Sequence, residues 1–420
     1  MNKKILSFFL ACSIFSDNLF AGGSKVGLQG IKQIGMAHTG VGFAQDASTI
    51  YFNPAGMSFV INQFVGGMNA LIPSTSFLEK GTNITTDATA QVFTPLAAYG
   101  QLKLSKRINV GIGAYTPFGS GVMYPAEWTG RYTLTEVSLQ TIFIQPTVSF
   151  RITDKLSIGG GYIFANGRVN LEKDLPIASS TNSNDAHARL NGDAKGNGYN
   201  VGIYYKNDKR FNFGVTYHSE VTMNVDEGTA EFTNIPTALS TTFPAKNTFV
   251  TELDLPAEIA VGTSFKLNKR TTFAADFNYT YWKTFDSLGF DYGLNTSSVT
   301  DAKSPRLYEN AMAFRAGIQY DASRNTQLRV GAFFDQTPIQ NGYVSPELPD
   351  NDRLGLTAGA SFKLEDRLQL DLSIMYQNVF KRTQTNKETG LSGTFHTKVL
   401  APGAGLTWQI RKRTSYAKNY

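Results

Sequence analysis

The sequence predicts an all-β protein, a 14-stranded antiparallel transmembrane β-barrel. Three observations carry this prediction. Apolar residues recur with a period of two along most of the chain, as half-buried strands require. No segment after Ala21 approaches the ~18 consecutive apolar residues of a spanning helix, so any crossing is made by strands. Six short polar turns alternate with seven longer loops, so thirteen connections join fourteen strands. An even count, with short turns at one end and long loops at the other, is the layout of an outer-membrane barrel.

Composition agrees. Gly (39), Phe (30) and Tyr (19) are abundant while charged residues reach only 17%, a balance that favours strands over helices. The net charge of +6 is spread over scattered residues, which excludes a nucleic-acid surface.

The chain begins with an export signal. Lys3 and Lys4 precede the apolar run Ile5–Phe15, which is too short to span a bilayer, and Ala21 offers a small residue for cleavage. Residues 1–21 are therefore assigned to the signal, leaving Gly22–Tyr420. The only cysteine, Cys12, lies inside the signal, so the exported chain has no disulfide. The "FLAC" around Cys12 is a poor lipoprotein box, because cleavage there would halve the apolar run.

The strand pattern is plainest in the second half. Phe273, Ala275, Phe277 and Tyr279 alternate with Thr272, Ala274, Asp276 and Asn278; Leu328, Val330 and Ala332 alternate with Arg329, Gly331 and Phe333. Leu356–Leu364 and Leu368–Tyr376 repeat the pattern, with Lys363 and Asp371 on the polar face. One face suits lipid and the other a polar lumen. Tyr281, Trp282, Tyr376 and Trp408 near strand ends are candidates for interfacial girdles. The short turns fall at 105–107, 153–155, 206–210, 268–270, 321–325 and 365–367.

Two places break the period. Residues 22–60 show no alternation and hold a possible short helix at Ala44–Thr49. The loop after the third strand, "YTPFGSGVMYPAEWTGRYTL", is long and apolar, and its apolar residues call for an explanation, either a ligand surface or packing of the loop against the barrel rim.

No enzyme is legible. The four histidines have no metal spacing, no GxSxG elbow is present, and paired carboxylates such as Asp226–Glu227 are sequence neighbours whose side chains point apart. "GGG" at 159–161 lies within a strand, and no Lys-Ser/Thr follows it. No cofactor and no metal are expected.

The segment "GMAHTGVGFAQDASTIYFNPAGM" carries a further signal, joined by "TPFGSGVMYPAEWTGRY", "IQPTVSFRITDKLSIGGG", "LPAEIAVGTSFKLNKRTTFAADFNYTYWKTFDSL", "RAGIQYDASRNTQLRVGAFFDQTPI" and "PELPDNDRLGLTAGASFKL". These six ordered blocks resemble the long-chain fatty-acid transporter (FadL) family of outer-membrane channels, which includes channels for aromatic hydrocarbons. The resemblance implies a barrel over residues 61–410 closed by an N-terminal hatch, or plug, over 22–60, with a basic tail at 411–420. It implies uptake of a hydrophobic small molecule, captured at an outer loop and released sideways where the third strand bends against the hatch. By motif, Asn53, Pro54, Ala55 and Gly56 form the hatch contact. Phe118, Val122, Met123, Tyr124 and Trp128 form the capture groove. Gly111 and Gly113 are the expected kink, since glycine weakens and bends strands. Arg131, Arg315 and Arg329 are candidate partners for a carboxylate, with no motif choosing among them. The expected partners are a fatty acid or hydrocarbon, outer-membrane lipid and lipopolysaccharide; nucleic acid is not one, and the barrel is expected to be a monomer. A structural or adhesive barrel whose long loops bind surfaces is the competing reading.

Overall fold

Alternating side chains force each strand to choose an inside and an outside, and the computed structural model closes fourteen such strands into a ring. It describes residues 23–178, 185–207 and 210–410. The expected signal with Cys12 and the basic tail lie outside the described residues.

The strands run β1 (Gln63–Asn69 and Ile72–Glu79), β2 (Leu96–Lys103), β3 (Ile108–Tyr115 and Gly119–Met123), β4 (Glu136–Arg151), β5 (Leu156–Ala178), β6 (Asp185–Lys206) and β7 (Phe211–His218 and Val221–Thr233). They continue with β8 (Lys246–Leu255 and Glu258–Lys266), β9 (Thr271–Thr280 and Ser287–Tyr292), β10 (Ala302–Pro305 and Ala311–Asp321), β11 (Thr326–Asp335), β12 (Arg353–Lys363), β13 (Leu368–Thr385) and β14 (Ser392–Gln409). Each pairs antiparallel with its neighbours in the chain. β14 returns to β1 with Gln63 opposite Gln409 and Glu79 opposite Gly393, so the ring has no free edge. β5 spans 23 residues and β6 spans 22, about twice what the hydrocarbon requires, and their surplus extends on the long-loop side.

The two faces separate cleanly. On β11 and β12, Val330 (56%) and Leu356 (58%) are exposed outward, while Arg329 (3%) is buried inside. The outward Phe, Ile, Leu and Val side chains make a belt that only hydrocarbon can solvate without cost. Of the proposed girdle, Tyr281, Tyr376 and Trp408 point outward, and Trp408 stacks on Phe64. Trp282 does not: it is buried in the lumen against Tyr308 and Phe118. Lys363 also leaves the lumen, pairing with Asp366 in its turn.

Residues 23–60 fill the ring. They hold two single-turn helices, α1 (Ile31–Ile34) and α2 (Thr49–Phe52), and a 3₁₀-helix, Pro54–Phe59. The helix expected at 44–49 starts later. Asp46 Oδ1 accepts from the Ser48 N–H (3.0 Å), which holds a turn there and delays helical backbone to Thr49. Nearly every residue from Leu28 to Ser58 is buried, polar ones included, because the barrel wall surrounds them.

Candidate functional site

Asn53 caps the 3₁₀-helix and Pro54 occupies its first turn, where a missing N–H costs nothing. The Asn53 side chain then reaches the wall. Its Oδ1 accepts from Ala55 N–H (3.2 Å), and its Nδ2 donates to the carbonyls of Val41 (3.2 Å) and Ile203 (3.0 Å), with Val215 O at 3.4 Å. Ile203 and Val215 are directly opposed on β6 and β7, so one amide spans a strand pair. Ser157 Oγ on β5 donates to Ala55 O (2.7 Å). Glycines make this approach possible. A Cβ on Gly159 would lie 2.5 Å from the Pro54 carbonyl carbon, one on Gly202 would strike Asn53 Oδ1, and one on Gly214 would strike Val41 O. The Asn-Pro-Ala backbone rests on a side-chain-free floor across β5, β6 and β7. Gly56 serves the hatch itself, where a Cβ would strike Thr49 Oγ1.

The neighbouring residues of the stretch, Ile50 and Met57, meet the third strand. A Cβ on Gly111 would lie 2.7 Å from Ile50 Cδ1 and 2.8 Å from Met57 Cε; one on Gly113 would lie 3.2 Å from Ile50 Cγ2. Both glycines sit in unbroken ladders with β2 and β4. They are recesses for hatch side chains, and the bend expected there lies higher. Tyr115 pairs with Phe143 and Gly119 with Gln140, so Thr116, Pro117 and Phe118 oppose only Thr141 and Ile142. Pro117 has no N–H to donate, and the extra residue bends the strand. Phe118 turns inward, 6.2 Å from the Phe143 ring and 6.3 Å from Trp282. The N-terminal segment fastens the bend: Val26 N–H donates to Pro117 O (2.8 Å) and Gly119 N–H to Ser24 O (2.9 Å). The hatch residues bonded to the bend are therefore Ser24–Val26 and Gln29, whose Nε2 donates to Thr116 O (2.7 Å), not Asn53–Ala55.

Beyond the bend, Gly119–Met123 pairs with β4, while the β2–β3 ladder ends at Ala97 opposite Tyr115. The first loop rejoins β3 at its tip, where Thr89 N–H donates to Met123 O (2.7 Å). Between these points the wall parts. A cavity of about 750 Å³ passes there, lined by Lys25, Leu28 and Val399 inside and by Leu96 and Ile142, whose side chains face outward. Phe93 stands in the gap: its ring occupies the place a side chain on Gly121 would take. Behind the bend, Tyr51, Tyr115, Phe118, Phe143 and Ile163 line a second cavity of about 30 Å³.

Several charges inside the barrel are paired. Lys25 lines both cavities and is bonded to Glu258, which also accepts from Asn278 and Thr280 (3.0 Å each). Lys32 lies 3.3 Å from Asp46 and 3.7 Å from Asp371. Gly40 and Val41 N–H groups donate to Asp276 (2.7 and 2.9 Å), fixing the hatch to β9. Of the candidate carboxylate partners, Arg131 pairs with Asp185 in the outer loops. Arg329 is enclosed by Gln319, Gln327 and Ser361, away from both cavities. Arg315 pairs with Asp335 (2.9 Å). Lys25 and Arg353, which line the large cavity, were not singled out by the sequence, and neither was Glu258, the partner of Lys25.

The loop aromatics are packed. Tyr124 and Trp128 stack at 4.0 Å and are each 3% exposed; Trp128 meets Phe77, and Phe77 meets Phe395. Trp128 Nε1–H donates to Leu134 O (2.7 Å) and Tyr124 O–H to Pro346 O. Burial raises the Tyr124 hydroxyl above its ordinary pKa. Val122 lines the large cavity, and Met123 is partly buried beside it.

A plugged, closed fourteen-stranded ring with an apolar outer belt is an outer-membrane barrel channel. The chain belongs to the outer membrane protein transport protein family (OMPP1/FadL/TodX), whose model matches residues 12–413. It is 23% identical to a long-chain fatty acid transport protein of Escherichia coli O6:H1, over 99% of this chain and 100% of that one. Its fold is similar to a Pseudomonas aeruginosa FadL homologue (TM-score 0.80, 18% identity, 93% of this chain and 100% of that one). It is also similar to the Pseudomonas putida toluene transporter TodX (TM-score 0.70, 16% identity, 94% and 100%).

Proposed function

We propose that this chain admits hydrophobic molecules, long-chain fatty acids foremost, by passive diffusion, and releases them sideways into the membrane at the bend of β3. The observation that carries this is one cavity lined from both faces of the barrel wall, by Leu28 and Val399 inside and Leu96 and Ile142 outside. A ligand that re-enters water forfeits about 0.8 kcal/mol per buried CH₂, so an apolar path that ends in hydrocarbon is worth far more than an aqueous pore. Lys25 and Arg353 line the same cavity, each beside a carboxylate of the barrel, Glu258 and Asp350, so a fatty-acid head group would compete with those carboxylates for them.

The exported chain lacks cysteine, which gives a clean test. A Phe93→Cys/Gly121→Cys variant bridged by a short, reducible bifunctional thiol reagent should stop fatty-acid uptake by cells, and reduction should restore it. Unchanged uptake with complete bridging would sink lateral release. Toluene uptake measured in parallel separates the two ligand classes.

A further inference from the structure

The periplasmic rim repeats one arrangement at every short turn. The carbonyl of a turn residue accepts the backbone N–H that ends the neighbouring strand. Arg107 O accepts from Arg151, Lys155 O from Lys206, Arg210 O from Lys266, Arg270 O from Asp321, Asn325 O from Lys363 and Arg367 O from Gln409. Five of these six residues are cationic, and in the sixth turn Arg324 precedes Asn325. The backbone is pinned at each position while the side chain stays exposed. No described carboxylate is ion-paired with Arg107, Lys155, Arg210, Arg270, Arg324 or Arg367; in these turns Asp366 is taken by Lys363.

A second pattern sets their height. Three residues before the cation, four turns carry an outward apolar side chain: Leu104 (64% exposed), Ile152 (41%), Leu267 (57%) and Leu364 (54%). These residues end the hydrocarbon belt. The cation of the same turn then stands one turn-width below it, at the depth of the lipid head groups.

We propose that this collar binds the phosphodiester head groups of anionic phospholipids in the periplasmic leaflet. A ring around the whole circumference, with an outward apolar residue beside four of its six cations, matches a leaflet. A partner protein would need such a feature on one side only.

The test is native mass spectrometry of the detergent-purified mature protein with equal phosphatidylglycerol and phosphatidylethanolamine. The wild type should retain phosphatidylglycerol preferentially. A variant with Arg107→Gln, Lys155→Gln, Arg210→Gln, Arg270→Gln, Arg324→Gln and Arg367→Gln should lose that preference, roughly fivefold for each cation that holds a lipid. A control with Lys80→Gln, Arg189→Gln, Lys246→Gln, Lys283→Gln, Lys303→Gln and Lys387→Gln removes equal charge at the outer side and should keep it. Should the first variant not fold, the triple variant at Arg107, Arg270 and Arg367 should show a partial loss. Excess inorganic phosphate should leave the retained lipid in place. Equal retention in the wild type and the collar variant, equal loss in the control, or displacement by free phosphate would each overturn the proposal.

Discussion

Asn53→Ala should undock the hatch without opening the barrel. The side chain is fully buried and makes three kinds of contact: donation to Ile203 O on β6, donation to Val41 O within the hatch, and acceptance from Ala55 N–H. Losing the cap costs about 0.5–2 kcal/mol, and each buried carbonyl left bare costs on the order of 1 kcal/mol. The sum is roughly 2–4 kcal/mol, borne by hatch docking alone, because the β6–β7 ladder keeps its own backbone bonds. That corresponds to a roughly 30-fold to 700-fold rise in the undocked population. Hydrogen exchange in detergent reads this directly: amides of residues 28–58 should exchange faster by that factor, while β10–β13 keep their protection. Unchanged hatch protection would refute the reasoning, since it would make the Asn53 contacts incidental. Equal loss in the barrel strands would also refute it, because the motif would then support the wall.

Three other outcomes are expected. Gly159→Val should assemble as a heat-modifiable barrel yet conduct ions in planar bilayers, because its Cβ would lie 2.5 Å from the Pro54 backbone, which cannot give way as a flexible side chain would. Lys32→Met leaves Asp46 and Asp371 buried without their cation and should lower hatch stability by about 3–5 kcal/mol, read from hydrogen exchange of α1 and its surroundings. Trp128→Ala removes the ring held between Tyr124 and Phe77 and should cost about 3 kcal/mol of local stability, seen as proteolysis within residues 124–135. Fatty-acid affinity should fall less than for a substitution of Val122, which lines the cavity.

The sequence by itself determined the barrel. Period-two alternation assigns an inside and an outside to each residue, and turn chemistry marks where strands reverse; both are local, so the six short turns and the even strand count were legible. Asn-Pro-Ala was legible as a stiff element because Pro54 and its cap act on adjacent backbone. What that element touches was not. Gly111 and Gly113 read as bend sites, since a glycine looks the same whether it bends a strand or makes room for a neighbour. Only the tertiary structure showed Ile50 and Met57 in their recesses, and placed the bend at Thr116–Phe118, where the count of residues on β3 and β4 differs. Tyr124 and Trp128 read as an apolar surface until Phe77 and Phe395 appeared beneath them. The Lys25–Glu258 pair, 233 residues apart, and the wall opening at Phe93 are products of ring closure. They depend on which strands come to face one another across the lumen, and no local pattern encodes that.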